Sequence, residues 1–224
     1  MANQTKFGVF DAQVEAQIDA RNLPHWFQPG VATFVTFRTS DSMPRDVVLR
    51  WKAELGIWLE QQGLKLANTA DLPDPDAIPN GLRAAYRRQR DRLWNWELDQ
   101  CHGACVLRQR ELAEIVLNAL LHFNGDRYDL ASAIVMPNHV HLIAQFYGPS
   151  NCRKQCTSWM HYSATKINPL IGGDGAFWQS EPFDHLIRSE VQFHFLQRYV
   201  ANNGVEAKLP HSDYLYWCYA APPS

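Results

Sequence analysis

Apolar positions recur along this chain with two different periods, and the switches between them mark out its elements. Residues 33–38, TFVTFR, alternate as a half-buried strand does. Ser42-Met43-Pro44-Arg45-Asp46 then opens a helix expected to run to about Gln62, with Ser42 or Asp41 as cap and Pro44 in its first turn. Residues 71–81 are rich in Pro and Asp and read as a loop, after which a helix resumes over 81–96. Over 108–123, Leu112, Ile115, Val116, Ala119 and Leu120 fall on one helical face. Asn124-Gly125-Asp126 turns the chain into a strand over 128–136, and Pro137-Asn138 turns it again into a second strand, so the two should pair as a hairpin. A helix over about 153–167, the loop Gly172-Gly173-Asp174-Gly175, a short strand over 183–188 and a helix over 190–203 follow, with Asn203-Gly204 as the helix stop. This order predicts an α+β fold: one antiparallel sheet with helices packed mainly on one face.

The second hairpin strand carries the candidate chemistry. In Met136-Pro137-Asn138-His139-Val140-His141-Leu142-Ile143, two histidines are separated by one apolar residue. Side chains alternate across a strand, so His139 and His141 share a face while Val140 points to the other. Two neutral imidazoles on a rigid strand can share one cation. The pattern also arises by chance in a chain with nine histidines, so a further ligand has to be found. The last helix supplies a candidate. Tyr199 and Asn203 are four apart, which stacks them one turn apart on one face. Asn203 can offer an amide oxygen and Tyr199 a nucleophilic hydroxyl. Against this, a Tyr near a helix end is often a core-edge residue, and Asn-Gly is an ordinary helix terminus.

Composition narrows the classes. The 224 residues are 46% hydrophobic and 12% aromatic, enough for one large domain or two small ones. Lys and Arg number 21 against 23 Asp and Glu, a net charge of −2, so nucleic acid binding would need a local patch. Arg83, Arg87, Arg88, Arg90 and Arg92, interleaved with Tyr86, Trp94 and Trp96, form such a segment, which reads equally as a solvated face over core tryptophans. The first twenty residues lack the apolar run of a signal peptide, and no stretch approaches a membrane span of roughly 20 apolar residues. A soluble cytoplasmic protein is expected. Five cysteines fit a reducing compartment; Cys101 with Cys105, and Cys152 with Cys156, are spaced to share helical faces as buried thiols or, less aptly, a zinc site. The glycine loop lacks the GK[ST] of a phosphate cradle.

Several segments together resemble one family. Residues 34–38 (FVTFR), 136–143 (MPNHVHLI), 177–179 (FWQ), 184–188 (DHLIR) and 198–203 (RYVANN) are similar, in order, to the REP-associated tyrosine transposases, relatives of the single-tyrosine HUH transposases. The resemblance spans about 33–209. It implies a single domain over 1–224 with a ferredoxin-like core, extra helices inserted between its first and second strands (about 65–105) and a C-terminal tail over about 210–224. It further implies His139, His141 and Asn203 as ligands of Mg²⁺ or Mn²⁺ and Tyr199 as nucleophile. Arg38, Lys166 and Trp178 are the DNA contacts it suggests, beside Arg87 from the arginine-rich segment. The implied activity is that of a metal-dependent single-stranded DNA endonuclease and strand transferase. It would act beside REP-like hairpins through a covalent 5′-phosphotyrosine, as a monomer or homodimer, and be nucleoid-associated when bound to DNA. Two positions depart from the family pattern: Met160 stands where a Lys is frequent, and Gly204 where a Pro commonly follows the Asn pair. The alternatives are a domesticated hairpin-binding protein without turnover and a histidine-triad nucleotide hydrolase, whose motif needs a third His where Ile143 stands.

Overall fold

The computed structural model describes residues 7–20, 24–66, 72–148 and 151–219. The N-terminal residue of the proline-rich loop, Asp71, and the last residues of the expected tail, 220–224, lie outside them. The chain divides into two compact units, Met1–Ser40 with Val106–Ser224, and Asp41–Cys105.

The first unit is built on a five-stranded antiparallel sheet of order β6-β3-β5-β4-β7: β3 is Ala32–Arg38, β4 Tyr128–Val135, β5 His139–Phe146, β6 Phe183–Leu186 and β7 Leu215–Cys218. Without β7, the order and the helical crossovers are those of a ferredoxin-like fold. The hairpin β4–β5 forms as expected, closed by Met136 N–H donating to His139 O at 2.8 Å. A separate hairpin, β1 (Gln17–Ala20) with β2 (Pro24–Phe27), was not legible as strands.

Alternation along the central strand divides the interior in two. Val140, Leu142, Ala144 and Phe146 pack beneath α3 (Arg110–Leu121) and α4 (Asn151–Ile171), together with Val35, Phe37, Tyr128 and Trp159. Ile143 on the opposite face joins Phe34, Ile134 and Met136 beneath α5 (Glu190–Glu206), through Phe193, Leu196 and Val200. The start of α5 is set locally: Ser189 Oγ accepts from Gln192 N–H at 3.1 Å, and the Gln192 amide oxygen accepts from Arg188 N–H at 2.7 Å.

Three local expectations need correction. Asn203-Gly204 does not end α5, which continues to Glu206. Gly204 is required for packing instead, because a Cβ there would collide with the Tyr214 ring. The helix closes at Lys208, whose φ is +56°, with Lys208 N–H bonded to Val205 O and Leu209 N–H to Gly204 O. The expected tail contributes β7, which pairs with β4. Neither Ser42 nor Asp41 caps the first helix; Pro44 occupies the N-cap position and the Asp41 carboxylate accepts from Ala104 N–H at 2.7 Å.

The second unit holds α1 (Arg45–Gln61) and α2 (Asn80–Asp99), closed over Leu55, Leu59, Ile78 and Tyr86 and over Met43, Val47 and Leu98. Its buried Glu97 carboxylate accepts from Arg50 at 3.1 Å and meets His102 Nε2 at 2.8 Å. Cys101 and Cys105 lie beyond α2 at φ of 53° and 50°, so they share no helical face, whereas Cys152 and Cys156 are buried on α4; none of the five cysteines is disulfide-bonded. Among the described residues no helix is long and apolar enough to cross a membrane.

Candidate active site

β5 begins at the hairpin turn with His139, and its pleat aims His139 and His141 at α5. Both rings are buried, at 0% and 1% exposure, with centroids 4.6 Å apart. Each Nδ1 has a partner. His139 Nδ1 lies 2.8 Å from Asn138 Oδ1, and His141 Nδ1 lies 2.7 Å from Thr36 Oγ1, the residue opposite it on β3. On the far side of the rings, His141 Nε2 lies 3.3 Å from the Tyr199 hydroxyl. His139 Nε2 has no hydrogen-bond partner, and neither do the oxygen and nitrogen of the fully buried Asn203 amide.

Burial governs the charge state of both imidazoles. It pushes the pKa of His139 down to about 4, against a smaller upward pull from the nearby Asn203 side chain. That amide is close enough to favour a charged ring without meeting hydrogen-bond geometry. His141 is held well below the ordinary histidine range, by burial first and by His139 second. Both rings are therefore neutral at pH 7 and offer lone pairs rather than protons.

Unpaired buried polar atoms are costly, about 1–3 kcal/mol each, and their concentration in one place points to a missing partner. The donors suit a divalent cation: two neutral imidazoles and an amide oxygen, a mixed set that accommodates Mn²⁺ more readily than oxygen-seeking Mg²⁺. No group of three His, Cys, Asp or Glu converges among the described residues, so a metal centre here depends on the Asn203 oxygen.

Phe34 organises the aromatic wall of the site. Its ring stacks on His141 at 5.5 Å and meets His185 at 5.3 Å and Tyr199 at 6.1 Å. Arg38 pairs across the strands with His139 and so projects from the same face; burial lowers its pKa to about 10, which leaves it protonated at neutral pH.

No family model and no curated protein matches the chain. A solved structure resembles it. That structure is described as a REP-associated tyrosine transposase bound to a REP hairpin; it is 12% identical, covers 84% of this chain and 73% of its own, and superimposes with a TM-score of 0.44. The likeness is too distant to transfer residues or activity.

The structure thus brings His139, His141, Tyr199, Asn203 and Arg38 to one region of the first unit and places Lys166 and Trp178 elsewhere in that unit. Lys166 is exposed on α4, on the opposite face of the sheet from α5, with its ammonium 5.9 Å from the Tyr162 ring. Trp178 is a core side chain at 5% exposure, its indole N–H donated to Ser163 Oγ at 2.9 Å and its ring edge-to-face with Phe37. It presents no open face on which a base could stack. Arg87 is exposed in the second unit, 3.8 Å from Asp76. Sequence reasoning missed Thr36, Asn138 and Phe34. It also missed Phe195, 59% exposed one helical turn before Tyr199, which the four-residue spacing could have revealed.

Proposed function

We propose that this protein is a metal-dependent single-stranded DNA nuclease and strand transferase whose nucleophile is Tyr199, acting on unpaired DNA beside hairpins. The observation that carries the reading is the placement of the Tyr199 hydroxyl 3.3 Å from His141 Nε2, beside the unpartnered His139 Nε2 and Asn203 oxygen. His139, His141 and Asn203 would hold Mg²⁺ or Mn²⁺, which supplies Lewis acidity to a phosphate oxygen when bound.

The chain's own groups supply the rest. The half-buried Tyr199 ring packs against both Phe34 and His141, and in this reading its oxygen takes a phosphate of unpaired DNA. The phenolic oxygen attacks phosphorus and gives its proton to water; the bond from phosphorus to the 3′ oxygen breaks, and that oxygen leaves with the electron pair and takes up a proton. The products are a 5′-phosphotyrosine and a free 3′-OH, and the stored ester can be passed to another strand. Arg38 offers a positive charge to the phosphate backbone from the same face. Phe195, one turn before the nucleophile, offers a ring on which a neighbouring base can stack. Tyr199 acts in this reading with the histidines of its own chain.

The decisive assay incubates the protein with Mn²⁺ and an oligonucleotide carrying a hairpin and a single-stranded flank, and looks for a denaturant-resistant adduct. Tyr199→Phe is expected to abolish the adduct while retaining hairpin binding; an adduct persisting in that variant shows that another residue attacks. A hairpin-binding protein without turnover is the second reading. It draws support from Met160, which packs part-buried against the apolar core where the family resemblance suggests a cation. That reading predicts binding but no adduct in the unaltered protein.

A further inference from the structure

We infer that Asn138 and Thr36 are positioning residues that hold His139 and His141 as the tautomers bearing their single proton on Nδ1. Both lone pairs on Nε2 are then turned toward Tyr199 and Asn203. The importance of this for cation binding rests on the function proposed above; the tautomer assignment rests on the geometry alone.

For His139 the donor and acceptor roles follow from chemistry. Asn138 Oδ1 is an amide oxygen and can only accept, so the ring nitrogen 2.8 Å away is the donor. His139 Nε2 consequently carries a lone pair, and it is this atom that has no hydrogen-bond partner. For His141 the partner at Nδ1 is a hydroxyl, which can donate or accept, and the other side of the ring decides. The group at 3.3 Å from Nε2 is the Tyr199 phenol. A phenol, far more acidic than an alkyl hydroxyl, is the better donor and the poorer acceptor, so Tyr199 donates to Nε2. The ring proton is then on Nδ1 and is donated to Thr36 Oγ1.

The fold supplies both clamps with little freedom. Asn138 sits in the hairpin turn, where its backbone carbonyl accepts from Thr39 N–H at 2.8 Å and from the Thr39 hydroxyl at 3.2 Å. Thr36 is held opposite His141 by the β3–β5 register, and both side chains are buried. In water an imidazole prefers its proton on Nε2, so two Nδ1–H rings side by side require the protein to impose them. Outer partners of this kind are how proteins aim histidine ligands.

Ring-¹⁵N-labelled, metal-free protein, with resonances assigned through His139→Gln and His141→Gln, reads the tautomers directly by long-range ¹H–¹⁵N correlation. Both rings are expected to show a protonated Nδ1 and an unprotonated Nε2. Thr36→Val preserves shape and strand preference; it is expected to shift His141 toward Nε2–H and to weaken Mn²⁺ binding, measured by electron paramagnetic resonance, by about 10- to 100-fold. Thr36→Ser restores both readouts. Asn138→Ala has the corresponding effect on His139, and Asn138→Asp, which keeps an acceptor, restores the Nδ1–H tautomer. An Nε2–H ring at either position in the unaltered protein overturns the inference, whatever Mn²⁺ does. Nδ1–H rings in a protein that fails to bind Mn²⁺ uphold it and refute the metal reading instead.

Discussion

The two faces of β5 are made from the same eight residues and serve opposite ends. Toward α3 and α4 the strand presents Val140, Leu142, Ala144 and Phe146, and the polar tips of Tyr128, Trp159 and Trp178 find partners there, although Gln155 Nε2 on α4 is buried without one. Tyr128 hydroxyl donates to Leu120 O at 2.6 Å and accepts from the Trp159 indole at 3.1 Å, while the Trp178 indole reaches Ser163. Toward α5 the same strand presents His139 and His141, and there His139 Nε2, both Asn203 amide atoms and Ser132 Oγ, across from Ile143, are buried without hydrogen bonds. The first face departs from the rules of a stable core at one amide nitrogen, and the second at several atoms gathered around one spot. Concentrated departures of this kind mark sites of chemistry.

Exchanging substitutions between the faces tests this division most sharply. His139→Leu is expected to bring DNA adduct formation below detection and remove Mn²⁺ binding, with thermal stability kept or raised, because an unpaired polar atom leaves the interior. Leu142→Ala, three residues on and facing the other way, is expected to cost about 2–5 kcal/mol in denaturant unfolding while Mn²⁺ binding by the folded fraction persists. A reversal, with His139→Leu unfolding the chain, would place the histidines among the structural residues.

Acid separates the faces by roughly 3 kcal/mol at full effect. An unfolded histidine takes up its proton below its ordinary pKa of about 6.5, whereas folded His139 resists protonation down to about 4. Between those values the unfolded chain holds the extra proton, so the metal-free protein loses stability as pH falls through the window. His139→Leu should flatten that slope in urea titrations; an unchanged slope would assign the acid sensitivity to other groups. The smallest expected effect is at Asn203. Asn203→Leu, of similar volume, should raise stability by about 1 kcal/mol in the absence of metal and weaken Mn²⁺ binding. A loss of stability would show that its amide is better satisfied than its surroundings indicate.

Much of the site was legible because its parts are local. The pleat alone puts His139 and His141 on one face, and the helical repeat alone stacks Tyr199 on Asn203. Thr36 was illegible, since nothing near it in the chain points to a histidine more than a hundred residues away; only the β3–β5 register brings them together. Trp178 and Phe195 show the same limit from the other side. Both are exposed-or-buried decisions that composition leaves open, and packing made Trp178 core and Phe195 surface. Gly204 was misread because an Asn-Gly pair has two uses, ending a helix or admitting a close neighbour, and Tyr214 lies beyond any local window.

By itself, then, the order of residues determined the elements, the faces of each element and the residue types able to bind a cation or attack phosphorus, because those depend on periods of two and 3.6 and on side-chain chemistry. The tertiary structure alone decided that strand and helix meet at Tyr199 and His141, that water is excluded there, and that Thr36 and Asn138 stand behind the rings. Strand pairing, helix docking and the desolvation they cause arise from contacts between distant segments, which have no signature in any short stretch of the chain.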